Sequence, residues 1–194
     1  MILTNIPLYD GTLLHARFAF RIFGEERILP TGNIIAFRAP MDVGLKGMVD
    51  IADIKNEDWI KSEDAINFCW EIPDISGYAG VCFQRLFCTV VGNILGNFLD
   101  AKIEIDGDDI FVHREFKQGG IIQSRGKASV SISCTRGSAI LGHLGINLKA
   151  GSKAPVFAYS TNLSDENAEK FMIECNNAFY AMTKDIFIAT TKVI

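Results

Sequence analysis

The apolar residues of this chain recur with two periods, and the switches between them divide it into strands and helices. Residues 127–135 alternate most cleanly: Val130, Ile132 and Cys134 point one way, Ser129, Ser131 and Ser133 the other. One face is expected on the core, while the other presents three hydroxyls to something polar. Residues 65–72 alternate in the same manner and predict a half-buried strand that Pro73 ends. Residues 2–8 read as a strand closed by the turn pair Asp10-Gly11. Residues 33–38 read as a short strand broken at Ala39-Pro40, since proline restricts the residue before it. Residues 101–106 and 110–113, joined by Gly107-Asp108-Asp109, predict a hairpin. Residues 139–148 predict a buried neighbouring strand, with Gly142 and Gly145 marking close backbone approach.

Helical spacing is strongest over residues 79–99, where Phe83, Phe87, Val90, Val91, Ile94 and Phe98 form one stripe. Cys88, Gly92 and Gly96 make a second, small-residue side that invites a close neighbour. Leu14, Phe18 and Ile22 predict a helix over residues 13–23, stopped by Gly24. A last helix is expected from Ser164, a good N-cap, with Asp165 and Glu166 complementing the dipole. Residues 186–194 are β-branched and fit either a final strand or the frayed end of that helix. Residues 41–64 are the least regular part and rich in acids, as ligand loops often are; residues 115–125 form a glycine-bearing loop. No repeat or linker interrupts this order. The expectation is one domain over 1–194, of α+β class, with a mixed, mostly antiparallel sheet packed by helices.

Composition narrows the partners. Hydrophobic residues make up 48% of 194, with 14 phenylalanines, too apolar for disorder and enough for an unstapled core. The net charge of −4 and the lack of a basic stripe argue against a nucleic-acid partner. No apolar run reaches the roughly 18–20 residues that span a bilayer, and residues 1–8 are too short and uncharged for a signal peptide. The reading is cytoplasmic, with a small molecule as partner and homo-oligomerisation left open. The odd count of five cysteines, with no Cys-x-x-Cys pair, fits free buried thiols rather than zinc.

From residue 79 to 148 the order is helix, strand, Gly-Asp-Asp turn, strand, Arg-Gly-Lys-Ala-Ser-Val-Ser-Ile, strand, His-Leu-Gly-Ile-Asn-Leu. This resembles the core of the biotin and lipoate protein ligases and the related octanoyltransferases, and implies their class II synthetase-like fold. The resemblance sets Asp108-Asp109 at the turn, Lys127 at the lysine of the Gly-Arg-Lys type motif, and His143, Gly145 and Asn147 at the closing motif. The whole chain more closely resembles an uncharacterised archaeal and bacterial family, domain of unknown function three-six-six. Phe37 to Val43, Met48-Val49-Asp50, Gln84-Arg85-Leu86, Gly107-Asp108-Asp109 and residues 127–132 and 143–148 carry that likeness.

The superfamily lysine stabilises an acyl-adenylate, so the resemblance makes Lys127 the catalytic candidate, opening a strand with a hydroxyl face. The ligases also use an Arg-Arg-x-x-Gly-Gly-Gly type segment for phosphates. Here Phe37-Arg38-Ala39-Pro40 stands in that place, which leaves the use of ATP and magnesium open. The octanoyltransferases use a cysteine beyond the closing asparagine, where this chain has residues 158–162 and no cysteine. Substrate-binding candidates are Arg38, Asp42, Asp50, Gln84, Arg85, Ser129, Ser131, His143 and Asn147. Each has a plainer reading: Arg38 pairs with Asp42 or Asp50, His143 is a satisfied core histidine, and Gln84 and Arg85 begin a surface helix, whose positive end otherwise suits an anion. Asp42, Asp50 and Asp53 either hold Mg²⁺ or are solvated, and no resident metal is assigned. The competing functions are a ligase- or acyltransferase-like enzyme for a small carboxylate or its adenylate, a non-catalytic ligand-binding domain, and an oligomeric structural protein.

Overall fold

The computed structural model describes residues 1–192. Its centre is a five-stranded sheet built from β1 (Ile2–Leu3), β2 (Asn33–Val43), β3 (Ile60–Pro73), β9 (Ser129–Arg136) and β10 (Ala139–Lys149), in the order β1-β2-β3-β10-β9. Only β1 runs parallel to its neighbour; the other pairings are antiparallel. Two long helices, α3 (Gly77–Leu99) and α4 (Asp165–Thr191), cover one face. Short segments cover the other, among them α1 (Ala19–Phe23) and α2 (Ile51–Asn56).

Alternation explains the two layers. Along β3, Ile66, Phe68, Trp70 and Ile72 join the helix-side core, while Ala65, Asn67, Cys69 and Glu71 face the opposite side. Both sets are buried, so the strand is not half exposed as its polar positions suggest: the sheet has cover on both faces. Gly142 on β10 is required by this packing, because a Cβ there would overlap the Trp70 indole.

A three-stranded sheet of β4 (Lys102–Asp106), β5 (Asp109–His113) and β8 (Gly126–Lys127) lies beside α3. The hairpin turns at Gly107, whose φ of 64° suits glycine. The small side of α3 receives it: Ile105 fills the space over Gly92, and Ile103 that over Gly96. The chain then crosses from the small sheet to the large one at Ala128. The Ala128 N–H bonds Ile110 on one side, and its carbonyl accepts from Asn147 on the other. Lys127 therefore stands at the seam between the sheets.

Several local expectations change. The helix expected over 13–23 divides into a tight turn, Thr12–Leu14, and α1, because the buried Glu71 carboxylate takes the N–H groups of Phe18 and Ala19 and starts a new helix there. β2 runs through Pro40, which sits at a register shift where its missing N–H breaks no ladder bond. Of residues 2–8, only Ile2–Leu3 pair as a strand. The 41–64 stretch is largely ordered, with Asp50 capping α2 and β3 beginning at Ile60. The 115–125 loop holds a small hairpin, β6 (Phe116–Gln118) and β7 (Ile121–Gln123). Residues 186–191 continue α4, and residues 193–194 lie outside the described part. By length and composition α3 could cross a membrane, but its phenylalanine stripe packs on the sheet here.

Candidate functional site

On the face away from the long helices, the sheet and its short cover enclose a cleft of about 320 Å³. Val130 and Ile132 of β9 and His143 and Asn147 of β10 come from the strands, and Tyr9 from the cover. Asp50, Asp53, Asp58 and Trp59 also line the cleft, as do Lys127, Pro155, Phe157 and Ala158.

Lys127 is 26% exposed in its side chain, at the rim rather than in open solvent, and its ammonium meets Asp109 at 2.7 Å. The Gly-Asp-Asp turn thus does two tasks. Asp108 binds Gln84 (2.8 Å) and Arg85 (3.4 Å) on α3, and Asp109, the next residue, holds the lysine. Gln84 and Arg85 lie about two turns inside the helix, which begins at Gly77, so they do not form its positive end. They tie the hairpin to α3 and do not line the cleft.

The serine face of β9 points to α3, against the expectation of an open polar surface. Ser129 Oγ accepts from the Ile110 N–H at 2.8 Å, and Ser131 Oγ donates to the His143 carbonyl and accepts from Gln84. It is the apolar face that meets the cleft, so Ser129 and Ser131 border it with their hydroxyls already engaged elsewhere. Arg38 is also on the helix side. It grips Asp64 and reaches Asp165 at the start of α4, both at 2.6 Å, and pairs with neither Asp42 nor Asp50. Asp42 stands outside the cleft, bonded by the Trp59 indole at 2.7 Å and by Lys61, and the indole above all keeps its carboxyl below the usual range.

Of the ten candidates, Lys127, Asp50, Ser129, Ser131, His143 and Asn147 border the cleft, while Arg38, Asp42, Gln84 and Arg85 do not. Asp50 accepts from the Ala52 and Asp53 N–H groups as the cap of α2. Burial, then the charges of Asp50 and Asp58, push the Asp53 carboxyl above its ordinary value. No group of three or more His, Cys, Asp or Glu among the described residues is spaced to hold a metal ion.

His143 is buried, stacked on Tyr9 with ring centroids 3.8 Å apart, and bonded through Nε2 to Asn67 at 3.0 Å. Burial drives its pKa down to about 3, so the ring is neutral at ordinary pH. Asn147 is 5% exposed, and its side-chain amide has no partner among the described residues, although its backbone is fully bonded. The amide keeps solvent contact through the cleft, where a ligand could take the place of water. Tyr9, Trp59, Val130 and Ile132 were not singled out from the sequence. Trp59, an aromatic inside an acidic stretch, was the one readable signal.

Four of the five cysteines are held in the thiol form by burial. Cys134 approaches the Leu14 carbonyl, and burial raises its pKa, as it raises those of Cys69 and Cys175; Cys88 is pushed up to about 12. Cys82 is exposed, unlike the buried thiol its apolar surroundings suggest. Of residues 158–162, Ala158 borders the cleft, and none of the five is a cysteine.

Comparison with known proteins fits this geometry. An uncharacterised protein of Methanocaldococcus jannaschii is 31% identical over 147 residues, 73% of this chain, and the chain spans only 59% of that protein's length. A protein of unknown function from Pyrococcus horikoshii superposes with a TM-score of 0.80 at 25% identity, over 100% of this chain and 97% of the other. Biotin protein ligase from Aquifex aeolicus, in complex with biotin and ATP, has a TM-score of 0.56 at 11% identity, over 95% and 72%. The bipartite lipoate protein ligase of Thermoplasma acidophilum has 0.55 at 10%, over 93% and 83%. These last two share the fold, and the likeness runs well beyond residues 79–148. Residues 1–194 match the family described as Domain of unknown function (DUF366), and the chain belongs to that family, built on the biotin and lipoate protein ligase fold.

Proposed function

We propose that the cleft binds a small carboxylic acid and that the protein acts on it, or on its adenylate, as a ligase- or acyltransferase-like enzyme. The observation that carries this is the placement of the Lys127 ammonium at the rim of an apolar-floored cleft of about 320 Å³, beside the unpartnered Asn147 amide. That volume suits a short ligand. A ligand carboxylate would take over Lys127 from Asp109, and the Asn147 N–H would supply a second donor. In the adenylating form of the reaction, a carboxylate oxygen attacks the α-phosphorus of ATP, pyrophosphate leaves, and Lys127 offsets the charge on the α-phosphate. Neighbouring folds act on or bind biotin and lipoate, which makes these the first acids to try.

A second reading, a non-catalytic ligand-binding domain, draws on three observations. Both lysines near the cleft are already paired, Lys127 with Asp109 and Lys61 with Asp42. Arg38 faces away, and burial raises the pKa of the Cys69, Cys88, Cys134 and Cys175 thiols.

Both readings meet in one experiment. Calorimetric titration of biotin and of lipoate, with and without ATP, is run on the wild type and on Lys127→Ala, with pyrophosphate assayed alongside. Binding is expected in the wild type and at least tenfold weaker in the variant, and pyrophosphate release selects the enzyme. Equal affinity in the variant removes Lys127 from the site. Binding without pyrophosphate leaves the binding domain.

A further inference from the structure

One hydrogen bond at the inner end of the cleft has a determinate direction. Asn67 is fully buried on β3, and its Nδ2 donates to the carbonyls of Ala39 (3.1 Å) and Ala65 (3.3 Å). Rotating the amide would set its oxygen against two acceptors, so Oδ1 must face His143. Oδ1 only accepts, and therefore the His143 nitrogen 3.0 Å away, Nε2, carries the proton. A neutral imidazole has one such proton, which leaves Nδ1 as a bare lone pair. Nδ1 has no donor among the described residues, and His143 borders the cleft. Tyr9, stacked at 12° on the ring, prevents it from turning.

Four residues along the same strand face stands Asn147, which also borders the cleft and whose backbone N–H bonds the carbonyl of Ala128, next to Lys127 in the chain. At about 3.4 Å per residue the two positions are roughly 13–14 Å apart along the strand. Gly145 lies between them, and its cross-strand partner Val130 adds an apolar contact. The cleft is therefore polar at both ends and apolar midway. A carboxylate at the inner end would set lone pair against lone pair. An ammonium there would be stripped of water, and no carboxylate acts on the His143 ring. An uncharged group with a hydrogen to donate suffers neither penalty.

We propose that Asn67 is a positioning residue that locks His143 in the Nε2–H tautomer, making the inner end of the cleft an acceptor for a neutral N–H or O–H donor. The group taken there is an uncharged N–H or O–H donor, set apart from the Lys127 and Asn147 end by the apolar stretch at Gly145 and Val130. This rests on the cleft being the ligand site and adds which end of the ligand enters first.

The test uses the full chain with ¹⁵N-labelled histidine and lysine and three probes of similar size: butyramide, N,N-dimethylbutyramide and butyrate. In the free protein His143 is expected to give the spectrum of a single Nε2–H tautomer. Butyramide is expected to shift its Nδ1 resonance and to bind there at least tenfold more tightly than the dimethylated amide. Butyrate is expected to perturb Lys127 and leave His143 unmoved. Asn67→Leu should give mixed tautomers and a tenfold loss of butyramide affinity, with the butyrate response kept; Asn67→Gln, which retains both the acceptor and the N–H donors, should restore the tautomer. Should neither variant fold, the wild-type tautomer and probe series decide. An Nδ1–H or mixed tautomer in the wild type overturns the proposal, as does equal binding of the two amides. A butyrate response at Lys127 without amide preference at His143 overturns this inference alone. Silence of both residues to all three probes at 50 mM, on the order of millimolar fragment affinity, overturns the cleft as ligand site as well.

Discussion

The two faces of the five-stranded sheet are covered by different means. On the helix side, Phe68, Trp70, Phe83, Phe87, Phe171 and Phe179 mesh with ring centroids 5.4–6.3 Å apart, and α3 and α4 lie over them as long regular elements. Apolar area holds that layer. On the cleft side, Asn67, Glu71, His143 and Asn147 are all buried on the strands. The cover there is short and irregular, and directed bonds pin it: Glu71 takes the Arg17 guanidinium and the Phe18 N–H, each at 2.7 Å, and the Ala19 N–H. Area is non-directional and tolerates long, regular elements, whereas buried polar groups demand partners at fixed positions. The face that gives up some packing is the one left with unfilled volume, onto which His143 and Asn147 open, whereas the fully buried polar atoms left without a partner, Trp70 Nε1, Ser133 Oγ and Asn176 Oδ1, lie on the helix side.

The largest effect that separates the faces is expected from Phe87→Ala. The ring is fully buried against Phe68, Trp70, Phe83 and Phe179, so its removal should lower stability by about 3–5 kcal/mol. Urea unfolding measures this. A loss under about 1 kcal/mol would mean that the helix layer is not what holds the sheet.

Acid separates the faces next. His143 is held at a pKa of about 3 against 6.5 ordinarily, so between these values the unfolded chain binds the extra proton. Its contribution is intact above pH 6.5 and declines as pH falls. Between pH 6.5 and 4.5 the decline is about 2 kcal/mol. Asp53, whose pKa is raised, acts with the opposite sign near its own range. Urea midpoints at pH 7.5, 5.5 and 4.5 should fall in the wild type and flatten in His143→Gln. A flat wild-type profile would place the imidazole in contact with water.

The same contrast explains what was legible in the sequence. Both long helices, the 101–113 hairpin and the strands β9 and β10 carry strong periods, and they formed where those periods lie. The serine alternation of β9 was visible, but alternation says only that two faces differ, not that α3 and Gln84 wait on the polar one. The break at residues 15–18 depends on Glu71, more than fifty positions away, and no local pattern encodes it. Within the cleft, Lys127, His143 and Asn147 lie on two strands with recognisable motifs. Tyr9 and Trp59 come from the irregular cover, where side-chain direction follows tertiary contacts. The acids that pair with Arg38 were not legible, because its placement on β2 turns it to the helix side, where Asp64 of β3 and Asp165 of α4 stand.

Two buried asparagines on the cleft face should respond in opposite ways to the same change. Asn67 donates two bonds and accepts a third, so an apolar replacement leaves orphaned groups behind. Asn147 has no side-chain partner to abandon. Asn147→Leu should leave stability unchanged or raise it by about 1 kcal/mol, while ligand binding at the Lys127 end falls. Such exchange of stability for function marks a site rather than a scaffold position. A clear drop in stability with binding preserved would make Asn147 structural.

The smallest effect belongs to Arg38, and it sharpens the comparison by being small. Its guanidinium is 37% exposed, with Asp64 and Asp165 as partners on the helix side. Exposed pairs of this kind contribute about 1 kcal/mol or less, because solvent already screens the charges. Arg38→Ala should therefore shift the urea midpoint only slightly, and the shift should shrink further in 1 M salt, where the screening length falls to about 3 Å. Affinity for a carboxylate or nucleotide probe should not change, since the sheet stands between this side chain and the cleft. If Arg38→Ala weakened binding as much as Lys127→Ala, the ligand would have to reach around β2 to the helix side, and the two faces would share one site instead of dividing support from recognition.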